Sequence, residues 1–579
     1  LVGLGLCMGG FWAYETLGWG GFWMWDPVEN VSFVPWVMGA VFLHGIIVQV
    51  TKGKWVATNL LLGGLPFLAF IYGTFLTRAG FLDGASVHSF AKMEVNAHKL
   101  LLGLLILSVV GFLGLWISRL KSIKSEATVE KGLRRDAVYT SSSILLSALA
   151  TATAIGMSVP LIQALAGQKA KVVEEHLYHM ILSWMFVPII VLMAVGPFVS
   201  WRRMSGKELW DRTKAVLSIS MGIVGATMLL MKLPGVGFQP DLKAKTEMFV
   251  PGGPQVTTFY WVMLLFGLCT LAIVGNAVRL LEVGKRSKMG TGPFLAHIGV
   301  AMAMAGLLVS RGLEKKEQFF VQAGSPGAAM GYTVQYMGRS SDFFDRENKM
   351  LFDVAKGDKM FRARPGLFYT VSQNEQREIS PTTWPHIERF ATHDVYLTLY
   401  NQILDAMEGV EIKPGETKTI QVDDWKHEVQ VPLKVTYVEP TTEGEPGMAG
   451  AKFGAKLRFD LEDGAVTPNP TMELGETGMR YNPDIVNDEY YVKLTSMNAA
   501  DRSITFNLGY IRPVYPIELF YKPLTSLVWL GTALMTLGGL FATVSRRFKP
   551  VTPSSRQIVE AETTESATIQ EEDALVSTP

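Results

Sequence analysis

Two histidines sit inside long apolar runs, His44 in "PWVMGAVFLHG" and His297 in "AHIGVAMAMAGLL". An ionisable side chain within a membrane is costly, and by default it reads as functional. Along spans expected at 33–50 and 293–311, His44 lies about six residues and His297 about four residues from the same end. At the rise of an α-helix those depths are roughly 9 Å and roughly 6 Å. Either imidazole alone is accounted for by a bond to a neighbouring helix carbonyl. A pair at matched depth is what holds a haem iron axially. Zinc would want two more ligands, and no Cys or carboxylate lies at that level.

A second group of residues is concentrated in "GWGGFWMWDPVEN", from Gly18 to Asn30, which carries Trp19, Phe22, Trp23 and Trp25 but no Lys or Arg. One or two tryptophans there would serve as an interfacial belt. The density exceeds what anchoring requires and suits a flat apolar porphyrin, with an axial ligand supplied from elsewhere. Asp26 and Glu29 have a simpler role. "DPVE" places an acceptor at the N-cap, proline at the first helical position and Glu at the third, a capping box. Arg78, at the end of an apolar run, could neutralise a propionate. His88 lies in the loop "GASVHSFA", and His98 reads as an interfacial polar residue. His176 and His179 in "EEHLYH" are spaced for a divalent metal beside Glu174 and Glu175, although a solvated helix start is the plainer reading. His386, His393 and His427 are scattered without ligand spacing.

These residues must be held by a membrane scaffold. The 579-residue chain is 49% hydrophobic and only 18% charged, with mean hydropathy +0.23. Runs near 1–16, 33–50, 59–77, 97–117, 139–165, 180–200, 215–232, 257–278, 293–311 and 524–544 each suit a membrane span of about 20 residues. The connecting loops rich in Lys and Arg all fall on one side, which makes that side cytoplasmic. The Trp-rich stretch, loop 78–96, loop 166–179 and segment 312–523 then lie outside. Segment 312–523 alternates as strands do, in "YTVQYM", "LFYTVS", "DVYLTLY", "HEVQVPLKVTYV" and "AKLRFDL". The expected architecture is a polytopic α-helical membrane protein with an extracytoplasmic β-rich domain inserted before the last span. Its parts are a helical bundle over 1–311 carrying the aromatic motif at 18–32, the β domain at 312–523, a last helix at 524–545 and an acidic, disordered tail at 546–579. The net charge of +1 argues against a nucleic-acid partner. Two cysteines, Cys7 and Cys269, both in apolar runs, exclude a disulfide framework or an iron–sulfur cluster. Leu1 opens inside an apolar run, so the natural beginning is expected to lie further upstream, in a longer protein or a separate polypeptide.

"WGGFWMWDPVENVSF" resembles the tryptophan-rich WWD motif of haem-handling proteins, and in detail the CcmF/NrfE-type cytochrome c haem lyase subunits. "PWVMGAVFLHG", "GTFLTRAGFLDGASVHSFA", "AVGPFVSWRR", "AHIGVAMAMAGLL" and "LFYKPLTSLVWLGTALMTLGG" extend the resemblance in order to about residue 548. It implies a haem lyase of the bacterial inner membrane working at its periplasmic face, which joins haem vinyl groups to apocytochrome c CxxCH thiols. A haem chaperone would deliver haem to Trp19, Phe22, Trp23 and Trp25, with His88 as one axial ligand. A permanent b haem would lie between His44 and His297 and draw electrons from quinol. Subunits that handle or reduce the apocytochrome would be further partners. The family's other outer ligand lies upstream of the motif, and loop 166–179 departs from the family pattern.

Three rivals stand beside this reading. A haem transporter would be expected to carry further intramembrane charges or broken helices. A b-haem electron carrier would need a second His pair across the membrane, and an assembly scaffold would need no haem.

Overall fold

The computed structural model describes residues 1–82, 94–123, 132–232, 240–371, 379–424, 429–445, 448, 450–461, 464–475 and 478–547. His88, His427 and the acidic tail therefore lie outside the described residues. Ten α-helices run through the described part. They are α1 Val2–Thr16, α2 Pro27–Lys52, α3 Val56–Arg78, α4 Val95–Arg119, α5 Arg135–Leu165, α6 Glu175–Val195, α7 Gly206–Lys232, α8 Thr258–Gly284, α9 Gly292–Gly312 and α10 Ser526–Arg547. They coincide with the ten apolar runs, extended at several ends by polar turns. Among the described residues nine are long and apolar enough to cross a membrane. The exception is α1, whose 15 residues fall short of the about 20 a crossing takes.

Two helices begin ahead of the apolar spans expected from 33 and 180. Helix α2 starts at Pro27, where the sequence places the capping box. The Asp26 carboxylate accepts from the Val28 amide at 2.8 Å, and the Asp26 amide donates to Glu29 at 3.1 Å. Helix α6 starts at Glu175, ahead of the span expected from 180, so "HLYH" forms its opening turns.

The chain divides into two compact units. One comprises Leu1–Leu4, Trp25–Leu308 and Leu527 onward; the other comprises Gly5–Met24 and Val309–Ser526. This differs from a bundle running unbroken over 1–311, since most of α1 and the first half of the Trp-rich stretch group with the β-rich segment.

In the helical unit, close backbone approach fixes the helices that carry the two membrane histidines. Next to His44, a Cβ on Gly45 would lie 2.1 Å from Asn59 Oδ1, so α3 packs there as closely as glycine permits. Helices α9 and α10 meet along glycines spaced seven apart: Gly292, Gly299 and Gly306 on one, Gly531 and Gly538 on the other. A Cβ on Gly299 would lie 2.1 Å from the Met535 amide nitrogen, and one on Gly531 2.3 Å from that of Ala303. Small residues at membrane helix interfaces permit this backbone-to-backbone packing.

The β-rich unit is organised by one long strand, Ile504–Pro523, of 20 residues. Its first half pairs with Tyr490–Met497 and Ile403–Ile412. Its second half pairs with Lys315–Gln322 and His393–Leu399. Two cores form along it, one around Tyr437, Phe459 and Phe506 and the other around Phe352, Leu397 and Ile517. A short hairpin of Lys245–Glu247 with Gln255–Thr257, not anticipated by the sequence reading, lies between α7 and α8.

Candidate functional site

The two membrane histidines come together. The rings of His44 on α2 and His297 on α9 have centres 6.2 Å apart with planes at 26°. His44 Nδ1 lies 2.7 Å from the Ala40 carbonyl oxygen. A carbonyl only accepts, so Nδ1 carries the proton and Nε2 keeps its lone pair, the tautomer of a metal-binding imidazole. Two imidazoles bound to one metal, each at about 2 Å with about 1 Å more to the ring centre, have centres about 6 Å apart. The pair therefore fits an iron held between two axial nitrogens. Beside it, Tyr139 lies 5.6 Å from His44 and 5.8 Å from Trp201, and the Arg135 guanidinium covers Trp201 at 5.6 Å. Composition alone marks Arg135 only as a loop charge. The quoted "AVGPFVSWRR" run, which holds Trp201, was the available signal for this wall.

The residues of the Trp-rich stretch divide between the two units. Trp19, Phe22 and Trp23 belong to the β-rich unit, and Trp25 belongs to the helical unit. Phe22 is buried at 7% exposure and stacks on Tyr14 at 4.3 Å, so it serves the packing of its unit. Trp19 and Trp23 are half-buried. Trp25 adopts φ 57, lies parallel to Tyr178 at 5.1 Å and 9°, and packs edge-on to Phe33 at 5.7 Å. Asn30, fully buried, donates to the Trp25 carbonyl at 2.9 Å. Arg78 ends α3 and is exposed. His98 packs near Phe75 at 5.5 Å. His176 and His179 separate, each beside its own glutamate: Glu174 at 3.1 Å and Glu175 at 3.6 Å. His179 also meets Trp25 edge-on at 6.4 Å, which a solvated helix start does not anticipate. Among the described residues no three His, Cys, Asp or Glu gather as a metal site.

Within the β-rich unit, a buried polar group supports the first half of the Trp-rich stretch, and the sequence reading missed it. Tyr14, fully buried, donates to Asp394 at 3.0 Å. Burial pushes the Asp394 carboxyl up to about 6, against the Tyr14 hydroxyl and the Arg389 and Lys522 charges, which favour its ionised form. Lys522, 1% exposed, pairs with Glu314, and Arg389 pairs with Glu15. A Cβ on Gly20 would lie 2.8 Å from the Phe520 ring, and one on Gly18, at φ 46, 2.9 Å from Thr398 Oγ1. The glycines flanking Trp19 thus let the loop lie against the sheet. Charged residues set within apolar and aromatic runs, Asp394 in "HDVYL" and Lys522 in "FYKPL", were the legible hint.

A multi-pass membrane protein with a matched imidazole pair inside its bundle and a β-rich segment before its last helix is the class these features define. A family model described as "Cytochrome C assembly protein" matches residues 1–82. The cytochrome c-type biogenesis protein CcmF of Haemophilus influenzae is 27% identical over 408 residues, covering 69% of this chain and 59% of that protein. CcmF of Escherichia coli is 29% identical over 322 residues, covering 55% of this chain and 46% of that protein. NrfE of Haemophilus influenzae is 28% identical over 308 residues, covering 53% and 45%. A solved structure titled "Cytochrome c Heme Lyase CcmF" aligns at TM-score 0.43 and 16% identity, over 93% of this chain and 64% of that one. Over half or more of its length the chain is similar to cytochrome c-type biogenesis proteins of the CcmF and NrfE kind. It spans about half the length of the curated relatives it matches.

Proposed function

We propose that this chain acts in a cytochrome c haem lyase of the bacterial inner membrane, with its working face in the periplasm. The observation that carries the reading is the 6.2 Å separation of the His44 and His297 rings, which suits one iron between them. A resident b haem there would supply one-electron chemistry, accepting electrons from quinol and keeping the incoming haem iron reduced. The incoming haem is substrate, handed over by a haem chaperone. Trp19, Trp23 and Trp25 orient its porphyrin face, His88 binds its iron, and Arg78 neutralises a propionate. Phe22, stacked on Tyr14, anchors the part of the stretch that carries Trp19 and Trp23.

The covalent step belongs to the substrates. Each thiol of an apocytochrome c CxxCH site adds across a haem vinyl group: sulfur bonds to the inner vinyl carbon and the thiol proton goes to the outer one. No net oxidation occurs, so the chain's part is placement rather than nucleophilic attack. That agrees with Cys269 being buried and Cys7 lying within an apolar helix. Apocytochrome-handling subunits that keep those thiols reduced, and an upstream membrane segment or polypeptide, would complete the assembly.

The test is haem-stained cytochrome c in a host lacking its own lyase, supplied with the chaperone, the remaining assembly subunits and this chain. Attachment is expected with the wild-type chain and is lost when Trp19, Trp23 and Trp25 are all changed to Ala. Equal staining with the triple variant would overturn the placement role.

A further inference from the structure

We propose that Arg135, Arg212 and Arg279, gathered around the last turn of α6, bind the phosphate of an anionic lipid headgroup from the leaflet at that end of the bundle. The site depends on the chain spanning a membrane and is independent of the haem-handling role. Its three arginines come from three helices. Arg135 opens α5, Arg212 lies within two turns of the start of α7, and Arg279 lies within two turns of the end of α8. Alternating spans put all of these ends on the side where the Lys- and Arg-rich loops collect.

Packing draws the three to one place. After Val195, α6 tightens into the 3-10 turn Gly196–Phe198. Arg135 donates through Nε to the Val199 carbonyl at 2.7 Å and through Nη2 to that of Pro197 at 2.9 Å. Arg212 donates to the Phe198 carbonyl between them at 3.2 Å. The Arg279 guanidinium lies over the Phe198 ring, 5.9 Å from its centre. Helix α8 carries it there because Gly275, one turn earlier, lets the two helices close. A Cβ on Gly275 would stand 2.9 Å from the Ala194 carbonyl oxygen. Asn276 then ties α8 to α6 by donating to the Met193 carbonyl at 3.1 Å. Arg135 lies within electrostatic reach of both other arginines.

The positive charge gathered here is not balanced. A helix C-terminus offers only about half an elementary negative charge, against three guanidiniums. Among the described residues Arg135 and Arg212 form no ion pair, and Arg279 pairs with Glu282, whose side chain is 52% exposed. The acids at the other helix ends are engaged elsewhere. Asp136 meets Arg134 at 3.0 Å and Lys54 at 3.5 Å, Asp211 meets Lys214 at 2.8 Å, and Glu208 accepts from the Ser205 amide at 3.0 Å. Each guanidinium has five N–H donors, most of them unused by these bonds. Arg279 Nε is buried with no hydrogen-bond partner among the described residues.

Unused donors and unopposed charge from three sides suit the oxygens of a phosphate, which arginine forks grip in pairs. Free phosphate and a lipid headgroup share that chemistry, and the level favours the lipid. The guanidiniums sit where spanning helices leave the hydrocarbon, flanked by Phe198 and by Trp201, which Arg135 covers at 5.6 Å. Basic pockets between helices at a cytoplasmic face hold anionic headgroups in this way.

The test uses the full chain, purified in detergent and stripped of lipid, with native mass spectrometry and thermal melting as readouts. Phosphatidylglycerol is expected to bind and raise the melting temperature, phosphatidylcholine to bind weakly, and inorganic phosphate to compete only at far higher concentration. Arg279→Gln, which removes no bond to α6, should weaken phosphatidylglycerol binding about fivefold, the scale of one basic side chain at an anionic surface. Changing all three arginines to Gln should weaken it on the order of a hundredfold. Changing all three to Lys, which keeps the charge without the fork, should give an intermediate affinity. Arg119→Gln, at the same end of α4, should bind as wild type. Equal phosphatidylglycerol binding by the wild type and Arg279→Gln would overturn the assignment, whether or not the triple variants fold. Equal binding of phosphatidylcholine would also overturn it, and equal stabilisation by inorganic phosphate would give the site to the free ion instead of the lipid.

Discussion

The phenol of Tyr14 meets the carboxylate of Asp394 at 3.0 Å, joining two residues 380 positions apart in one buried hydrogen bond. Tyr14 in turn stacks on Phe22, between Trp19 and Trp23 along the chain. The β-rich unit therefore holds the first half of the Trp-rich stretch, so under the proposed function it would position residues that face the incoming haem. Tyr14→Phe should preserve the ring stack while leaving Asp394 short of a donor. The expected cost is about 1–3 kcal/mol of stability in that unit. Haem capture at the Trp-rich stretch should weaken while the absorbance of the resident haem is unchanged. Parallel loss of both haems would point to global misfolding instead.

Asp394 also predicts a pH dependence. Its carboxyl is raised from 3.8 to about 6 by burial, so the folded state holds the proton more tightly than the unfolded state. Stability from this group is then fully present below about pH 4 and is lost as pH rises through about 6. Asp394→Asn should flatten that part of the melting profile of the purified protein between about pH 4 and 6. An unchanged slope across that window would exclude Asp394 as its source.

The seam between α9 and α10 predicts sharp intolerance. Gly299→Ala places a Cβ 2.1 Å from the Met535 amide nitrogen, which forces the helices apart and shifts His297 relative to His44. The resident-haem signal should fall severalfold per unit of purified protein. Gly103→Ala on α4, where a Cβ meets nothing within 4 Å, should leave it unchanged. Equal haem content in both variants would remove the seam from the account.

Asp26 separates capping from ligation. Its carboxylate accepts from the Val28 amide and closes the capping box of α2. Asp26→Ala should cost about 1 kcal/mol of stability, and Asp26→Ser, which keeps an N-cap acceptor, should recover most of it. Spectra of both haems should be unaffected in Asp26→Ser. A changed haem spectrum in that variant would give Asp26 a direct part in the site.

What could be read from the sequence was what is local. A span needs about 20 apolar residues and a strand alternates every second one, so the helices and most strands announce themselves. "DPVE" states its own cap, and the matched depths of His44 and His297 anticipated their meeting. The features not legible join distant segments. Nothing periodic in "FWAYET" says that Tyr14 will reach Asp394, or that Phe22 will turn inward while Trp19 and Trp23 stay half-buried. His179 looked like a solvated residue because its contact, Trp25, lies far earlier in the chain. The glycines at 292, 299 and 306 did carry a visible spacing, and only the matching glycines at 531 and 538 give that spacing its meaning.

The central claim is that His44 and His297 hold one haem between them, and the reduced-minus-oxidised absorbance spectrum of the purified chain tests it most directly. The account predicts a low-spin b-type spectrum in the wild type, strongly depleted in His44→Ala and in His297→Ala, and absent in the double variant. A double variant that keeps the full low-spin b-type spectrum would contradict it.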